Sequence, residues 1–136
     1  MKALLLILCT IITNEIFSQT FKVSDVQFSG DILSKENIQK KRLKALDCKV
    51  KLTFYDNSVK ITIYDKDDEE NVEEYILDKT GKVNEYCANL EEEKMILELK
   101  TWINYITSAT VKTYSKKNLG GYTTYEQCCI VTLKRD

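Results

Sequence analysis

Residues 48–65 read CKVKLTFYDNSVKITIYD, and the fold follows from how this stretch is read. Val50, Leu52 and Phe54 alternate with Lys49, Lys51, Thr53 and Tyr55, and a second alternation of Val59, Ile61 and Ile63 comes after them. Apolar residues at a period of two, on both sides of a short polar break, are the signature of two half-buried strands. A two-residue turn at Asn57-Ser58 sets Phe54 opposite Ile61, Leu52 opposite Ile63 and Thr53 opposite Thr62. All apolar members then share one face, as a sheet over a core requires. The stretch predicts a β-hairpin.

Working outward, Asp78-Lys79-Thr80-Gly81 predicts a second turn, because Gly81 accepts the positive φ of a short hairpin loop. It would join Glu74–Leu77 to Lys82–Cys87. Asn118-Leu119-Gly120-Gly121 predicts a third, between Thr110–Ser115 and Tyr122–Lys134, both rich in Thr, Tyr and Val. Phe21–Phe28 reads as a strand whose apolar pattern slips between Val23 and Val26, as at a bulge.

Ser34–Leu46 reads as a short helix capped by Ser34, with Ile38, Arg42, Ala45 and Leu46 on one face. Glu91–Ile106 fits two patterns. Met95, Leu99, Trp102 and Ile106 make a helical stripe, while Met95, Leu97, Leu99, Ile103 and Tyr105 alternate. The β-branched and aromatic residues after Lys100, and the hairpins on either side, favour the strand. The expected fold is mainly β, an antiparallel meander of seven or eight strands closing into a small barrel or sandwich, with one short helix near residues 34–46. This layout is similar to a lipocalin-like barrel, although the Gly-x-Trp of the first lipocalin strand is missing and the single tryptophan, Trp102, lies late. The resemblance is one of architecture and implies no ligand.

The first eighteen residues carry the three-part grammar of a cleavable export signal. Lys2 is a short positive start, Ala3–Ile12 is almost entirely apolar, and Asn14–Gln19 turns polar around Ser18. The apolar run is about half the roughly 20 residues of a membrane-spanning helix. Cys9 as a lipid-modified cysteine is the weaker alternative, because bulky Leu8 precedes it and Ile11, Ile12 and Ile16 would remain in the processed chain. Phe17-Ser18-Gln19-Thr20 resembles the cleavage region of exported proteins from Bacteroidota, whose processed chains often start at Gln. That resemblance covers the signal alone. Residues 19–136 are then one β-rich domain, exported to the periplasm, the cell surface or the medium, with no transmembrane segment.

Cys48, Cys87, Cys128 and Cys129 remain after the signal, in a compartment that permits oxidation. They are read either as one or two disulfides or as four small buried hydrophobes. Zinc fits poorly, since the chain has no histidine and no C-x-x-C spacing. The missing histidine also removes Ser-His-Asp and Cys-His nucleophile systems, and no glycine-rich phosphate loop is present. No catalytic, cofactor-binding or metal-binding residue is therefore assigned.

Three features remain as recognition candidates. Asp65, Asp67, Asp68, Glu69, Glu70, Glu73 and Glu74 form an acidic run, but Glu70 stands where an EF-hand needs Gly, and Ile76 where it needs Glu. A solvated loop is the plainer reading. Lys35, Lys40, Lys41, Arg42, Lys44, Lys49 and Lys51 form a basic run, which meets an acidic partner, complements the protein's own acidic run or is simply the wet side of a helix, the last two being the plainer readings. Tyr55, Tyr64, Tyr114, Tyr122 and Tyr125 are positioned for partial exposure, which suits sugar or protein recognition as well as ordinary cross-strand pairing.

With a formal charge of −1 there is no global field for nucleic acid. The sequence is read as a non-catalytic exported binding domain for a protein, glycan or small apolar ligand. A small secreted inhibitor or effector acting through Asn118–Tyr125 is the second reading, and a carboxylate-dependent hydrolase the third.

Overall fold

A computed structural model describes residues 15–29, 35–65, 70, 72–103 and 105–136. Eight antiparallel strands succeed one another around a closed barrel: β1 (Glu15–Phe28), β2 (Lys49–Tyr55), β3 (Ser58–Tyr64), β4 (Val72–Lys79), β5 (Glu85–Asn89), β6 (Glu93–Trp102), β7 (Tyr105–Leu119) and β8 (Tyr122–Arg135). One helix, α1 (Lys35–Leu46), links β1 to β2. Of the two expected architectures the barrel is formed, because β8 returns to pair with β1 over Phe21–Phe28. The expected cap Ser34 and signal residues 1–14 lie outside the described residues.

The β2–β3 hairpin has the expected faces and a different register. Its turn is Asp56-Asn57 rather than Asn57-Ser58, so Leu52 pairs with Ile61, Phe54 with Val59 and Val50 with Ile63. The shift is by two residues, which leaves every side chain on its expected face. It sets two fully buried residues, Leu52 and Ile61, directly opposite each other. Thr53 faces Lys60 and Thr62 faces Lys51. Both threonines are buried on the outer face, where long neighbouring side chains can cover them.

The slip in β1 is a register shift between Val23 and Asp25. It lets Phe21, Val23 and Val26 all reach the core, where strict alternation would send Val26 outward. Glu91–Ile106 is extended, as the β-branched content suggested, but it does not run through to Ile106. Trp102 pairs with Tyr105 across a two-residue turn, and Ile103 there has φ 58°. A β-branched residue in this region is strained by about 1–2 kcal/mol. The expected β4–β5 turn moves a few residues on, because β4 continues to Lys79 and β5 begins only at Glu85. Gly120-Gly121 closes β7–β8 with φ 53° and 105°, the backbone a two-residue hairpin of this kind requires.

Antiparallel order gathers the β2–β3, β4–β5 and β6–β7 turns at one end, together with the start of β1 and the finish of β8. The other end carries α1 and the remaining connections. Inward side chains from all eight strands meet in one core, including Phe21, Leu52, Leu77, Leu97 and Leu133. Ala45 and Leu46 of α1 pack against it. The wall is uneven: β3 and β4 are joined over seven residue pairs, β4 and β5 over only Asp78↔Cys87 and Lys79↔Tyr86.

Phe17, in the expected cleavage region, belongs to β1 and stacks on Phe54 with ring centres 4.6 Å apart. A cut after Ser18 leaves β1 starting at Gln19, with its pairings from Gln19↔Leu52 to Lys22↔Lys49 and its whole ladder to β8 intact.

Candidate functional site

Apolar side chains of every strand point into the barrel, and the candidate recognition surfaces described below lie on its outside. Among the described residues the longest projection is the β7–β8 hairpin. β7 last pairs with β6 at Glu93↔Ser115, and β8 last pairs with β1 at Phe28↔Cys129, where Ser29 N–H also donates to Cys128 O at 3.0 Å. From Lys117 to Glu126 the two strands therefore pair only with each other, as a ribbon beyond the barrel rim whose base is Lys116.

A register shift between Thr113 and Tyr114 prepares this ribbon. Thr113 pairs with Cys129 and Tyr114 with Gln127, so Cys128 is the extra residue of a bulge, and its thiol donates to Thr113 O at 3.3 Å. Bulges bend and twist a strand pair, which re-aims the hairpin beyond them. Across the ribbon the Thr123 hydroxyl donates to Asn118 Oδ1 at 3.2 Å, and Lys117 pairs with Glu126. At its base Lys116 N–H donates to Glu92 O at 3.0 Å, and the Lys116 ammonium donates to Leu90 O. Leu119, Tyr122 and Tyr125 are exposed, and the Lys94 ammonium lies 5.0 Å from the centre of the Tyr125 ring.

Between ribbon and barrel lies an open groove of about 530 Å³, with Glu91, Glu92 and Glu93 on one side and Lys116, Asn118 and Tyr125 on the other. Three carboxylates, an amide and an aromatic ring suit cationic or hydroxyl-rich groups. The tyrosine signal thus divides. Tyr122 and Tyr125 reach the ribbon surface, whereas Tyr55, Tyr64 and Tyr114 are half-buried in the wall.

The basic and acidic runs meet each other. Lys41 and Lys44 of α1 share a hollow of about 240 Å³ with Asp65 and Glu73, beside Cys48. Arg42 is committed elsewhere, donating to Asp25 Oδ1 at 2.9 Å. The shared hollow is compatible with self-complementation, and Lys40, Lys41 and Lys44 are exposed as on the wet side of a helix. Residues 66–69, in the middle of the acidic run, lie outside the described residues.

All four thiols are free, and all four are half-buried rather than core residues, with Cys48 and Cys129 packed against the core. Strand order supplies the reason that they are free. Cys48 precedes β2 and is separated from β8 by β1, about 9 to 10 Å at the usual strand spacing. Cys87 in β5 is three strands from either. A disulfide needs Cα atoms within about 7 Å.

Burial pushes the Cys129 thiol up to about 11 from an ordinary 9.0, with the neighbouring Cys128 and Glu93 adding to it. Burial raises Cys128 too, and for Cys48 burial acts first and Asp65 second. Tyr86 is raised by burial, and Tyr75 by burial and by donating to Glu73 at 3.1 Å. A group whose folded value is raised favours the fold fully below its unfolded value, and that contribution is lost as pH rises through the folded one. Stability should therefore decline between about pH 9 and 11. Melting temperatures across this range should fall less steeply for Cys129→Ala than for the parent; equal slopes would remove Cys129 from the cause.

Sequence reasoning placed the Gly120-Gly121 turn but missed the apolar turn at Trp102–Tyr105, and only Asn104 marked it. Among the described residues no three metal-ligating side chains gather, and no helix is long and apolar enough to cross a membrane. No family model, curated protein or solved structure matches the chain.

Proposed function

We propose that the protein is an exported, non-catalytic binding domain that presents the Lys116–Glu126 ribbon to a macromolecular partner. One observation carries this reading: the ribbon leaves both neighbouring strands, is braced by its own cross-strand contacts, and displays Leu119, Tyr122 and Tyr125 to solvent. Rigid exposed aromatics offer contact area at little entropic cost. The adjacent Glu91–Glu93 groove supports a partner carrying amines or clustered hydroxyls beside an apolar contact.

The second reading, an inhibitor that inserts this ribbon into a partner's cleft, uses the same residues and differs only in the partner's shape. Export rests on the sequence of residues 1–18. Its mark is a processed N-terminus at or near Gln19 in protein recovered from its host, and an intact Met1 would contradict it.

Binding is tested by screening protein and glycan arrays with the parent and with Tyr122→Ser/Tyr125→Ser. Central aromatic anchors typically carry about 2 kcal/mol or more each, so the double variant should lose about 1,000-fold in affinity where the two losses add, with its melting temperature nearly unchanged. A ligand bound equally well by both would place recognition elsewhere.

A further inference from the structure

The end of the barrel opposite α1 carries a second, separate exposed surface. Trp102, Ile103 and Tyr105 form the β6–β7 turn and are 68%, 74% and 56% exposed, and Val83 on the β4–β5 loop is 90% exposed. The two turns touch, with Asn84 Nδ2 donating to Thr101 Oγ1 at 3.4 Å and Leu99 N–H donating to Asn84 O at 2.9 Å. Ile103 and Asn84 both hold positive φ. The chain thus accepts strain to put a large β-branched side chain at the outermost point, where Asn or Gly would rest more easily.

Basic residues stand behind these apolar ones. Lys82 adjoins Val83, Lys100 lies two residues before Trp102, and the Arg135 guanidinium is 5.5 Å from the centre of the Tyr105 ring. Two carboxylates of the same rim are engaged, since Glu85 accepts from the Thr80 hydroxyl at 3.0 Å and Asp136 pairs with Lys22 at 3.3 Å. Trp and Tyr beside Ile and Val, with Lys and Arg one layer behind, is the composition that settles at a bilayer interface. Rings sit there at headgroup depth, and long cations reach the phosphates.

Two separate projecting turns are buried together more readily by a fluid interface than by one rigid protein groove.

We infer that the Val83 and Trp102–Tyr105 turns form a membrane-docking surface, which inserts its apolar side chains among lipid headgroups while Lys82, Lys100 and Arg135 meet lipid phosphates.

Trp102 is the only tryptophan in the chain, so its fluorescence reports this surface alone. The full chain is mixed with vesicles of equimolar phosphatidylcholine and phosphatidylglycerol, with and without bromine on the acyl carbons nearest the headgroup. Trp102 emission should move to shorter wavelength and be quenched by the brominated lipid. Ile103→Asp removes the apolar tip yet suits positive φ, so its melting temperature should not fall, while vesicle partitioning read at Trp102 should weaken about tenfold or more. Val83→Asp should act in the same direction from the neighbouring loop. Residues 1–14 are common to all three proteins, so attachment through them alone would quench Trp102 equally in parent and variants. Emission unchanged by vesicles overturns the proposal, as does equal quenching in parent and variants. A shift that grows with protein concentration without lipid overturns it in favour of a second copy of the chain.

Discussion

Leu52→Asp is expected to leave the chain unfolded or nearly so at room temperature. Leu52 is 0% exposed and faces Ile61, which is 1% exposed, on β3, with Gln19 of β1 on its other side. The substitution forfeits about 2 to 3 kcal/mol of apolar burial and places a carboxylate where no cation reaches it, adding several kcal/mol more. A domain of this size has roughly 5 to 15 kcal/mol in all. The contrast is Lys60→Asp on the outer face of β3, half-exposed, which should change stability by less than about 1 kcal/mol. Thr53 and Thr62 make poor controls, because both are buried despite facing outward. Urea unfolding of the two variants is the check, and equal losses would mean that the faces of β2 and β3 are exchanged.

Phe21→Ala should cost about 3 to 5 kcal/mol, the usual range for removing a buried ring. Its position gives the loss a specific place. Phe21 is fully buried where β1 passes from one partner to the other, opposite Val50 of β2 and Arg135 of β8. A cavity there loosens the seam that makes the sheet a barrel, so amide exchange should accelerate first along Lys22–Phe28 and its β8 partners. Ile76→Ala, at the sparsely paired β4–β5 junction and largely exposed, should be almost neutral. Urea midpoints and exchange maps separate these outcomes. A uniform rise in exchange around the barrel would argue that the β1–β8 seam is no weaker than the rest.

The parts of this fold that were legible in the sequence are those that depend on neighbours in the chain. Alternation in residues 48–65 gave the faces of β2 and β3, the Val23–Val26 slip gave the β1 bulge, and Gly120-Gly121 gave its turn. Register was less legible, since Asp56-Asn57 and Asn57-Ser58 are both acceptable turns and only the match of Leu52 to Ile61 separates them. The β6–β7 turn was hidden because Ile103, a residue that favours strands, occupies a left-handed position that normally selects Gly or Asn. Barrel and sandwich were indistinguishable because closure rests on β1 meeting β8, more than a hundred residues apart. The adjacent Cys128 and Cys129 suggested cross-links, and they mark instead a bulge at the root of the ribbon. Of the candidate site, its two exposed tyrosines and its turn were visible. The Glu91–Glu93 side of the groove was not, because it comes to the ribbon only through the β6–β7 pairing.

The central claim is that recognition takes place on the Lys116–Glu126 ribbon. A photo-crosslinking amino acid placed at Tyr122, and separately at Lys60 on the opposite wall, tests it most directly in the protein's own host. A discrete adduct from position 122, absent from position 60 and lost when Tyr125→Ser is added, is the predicted result. Adducts of equal yield from both positions, or from position 60 alone, would contradict it.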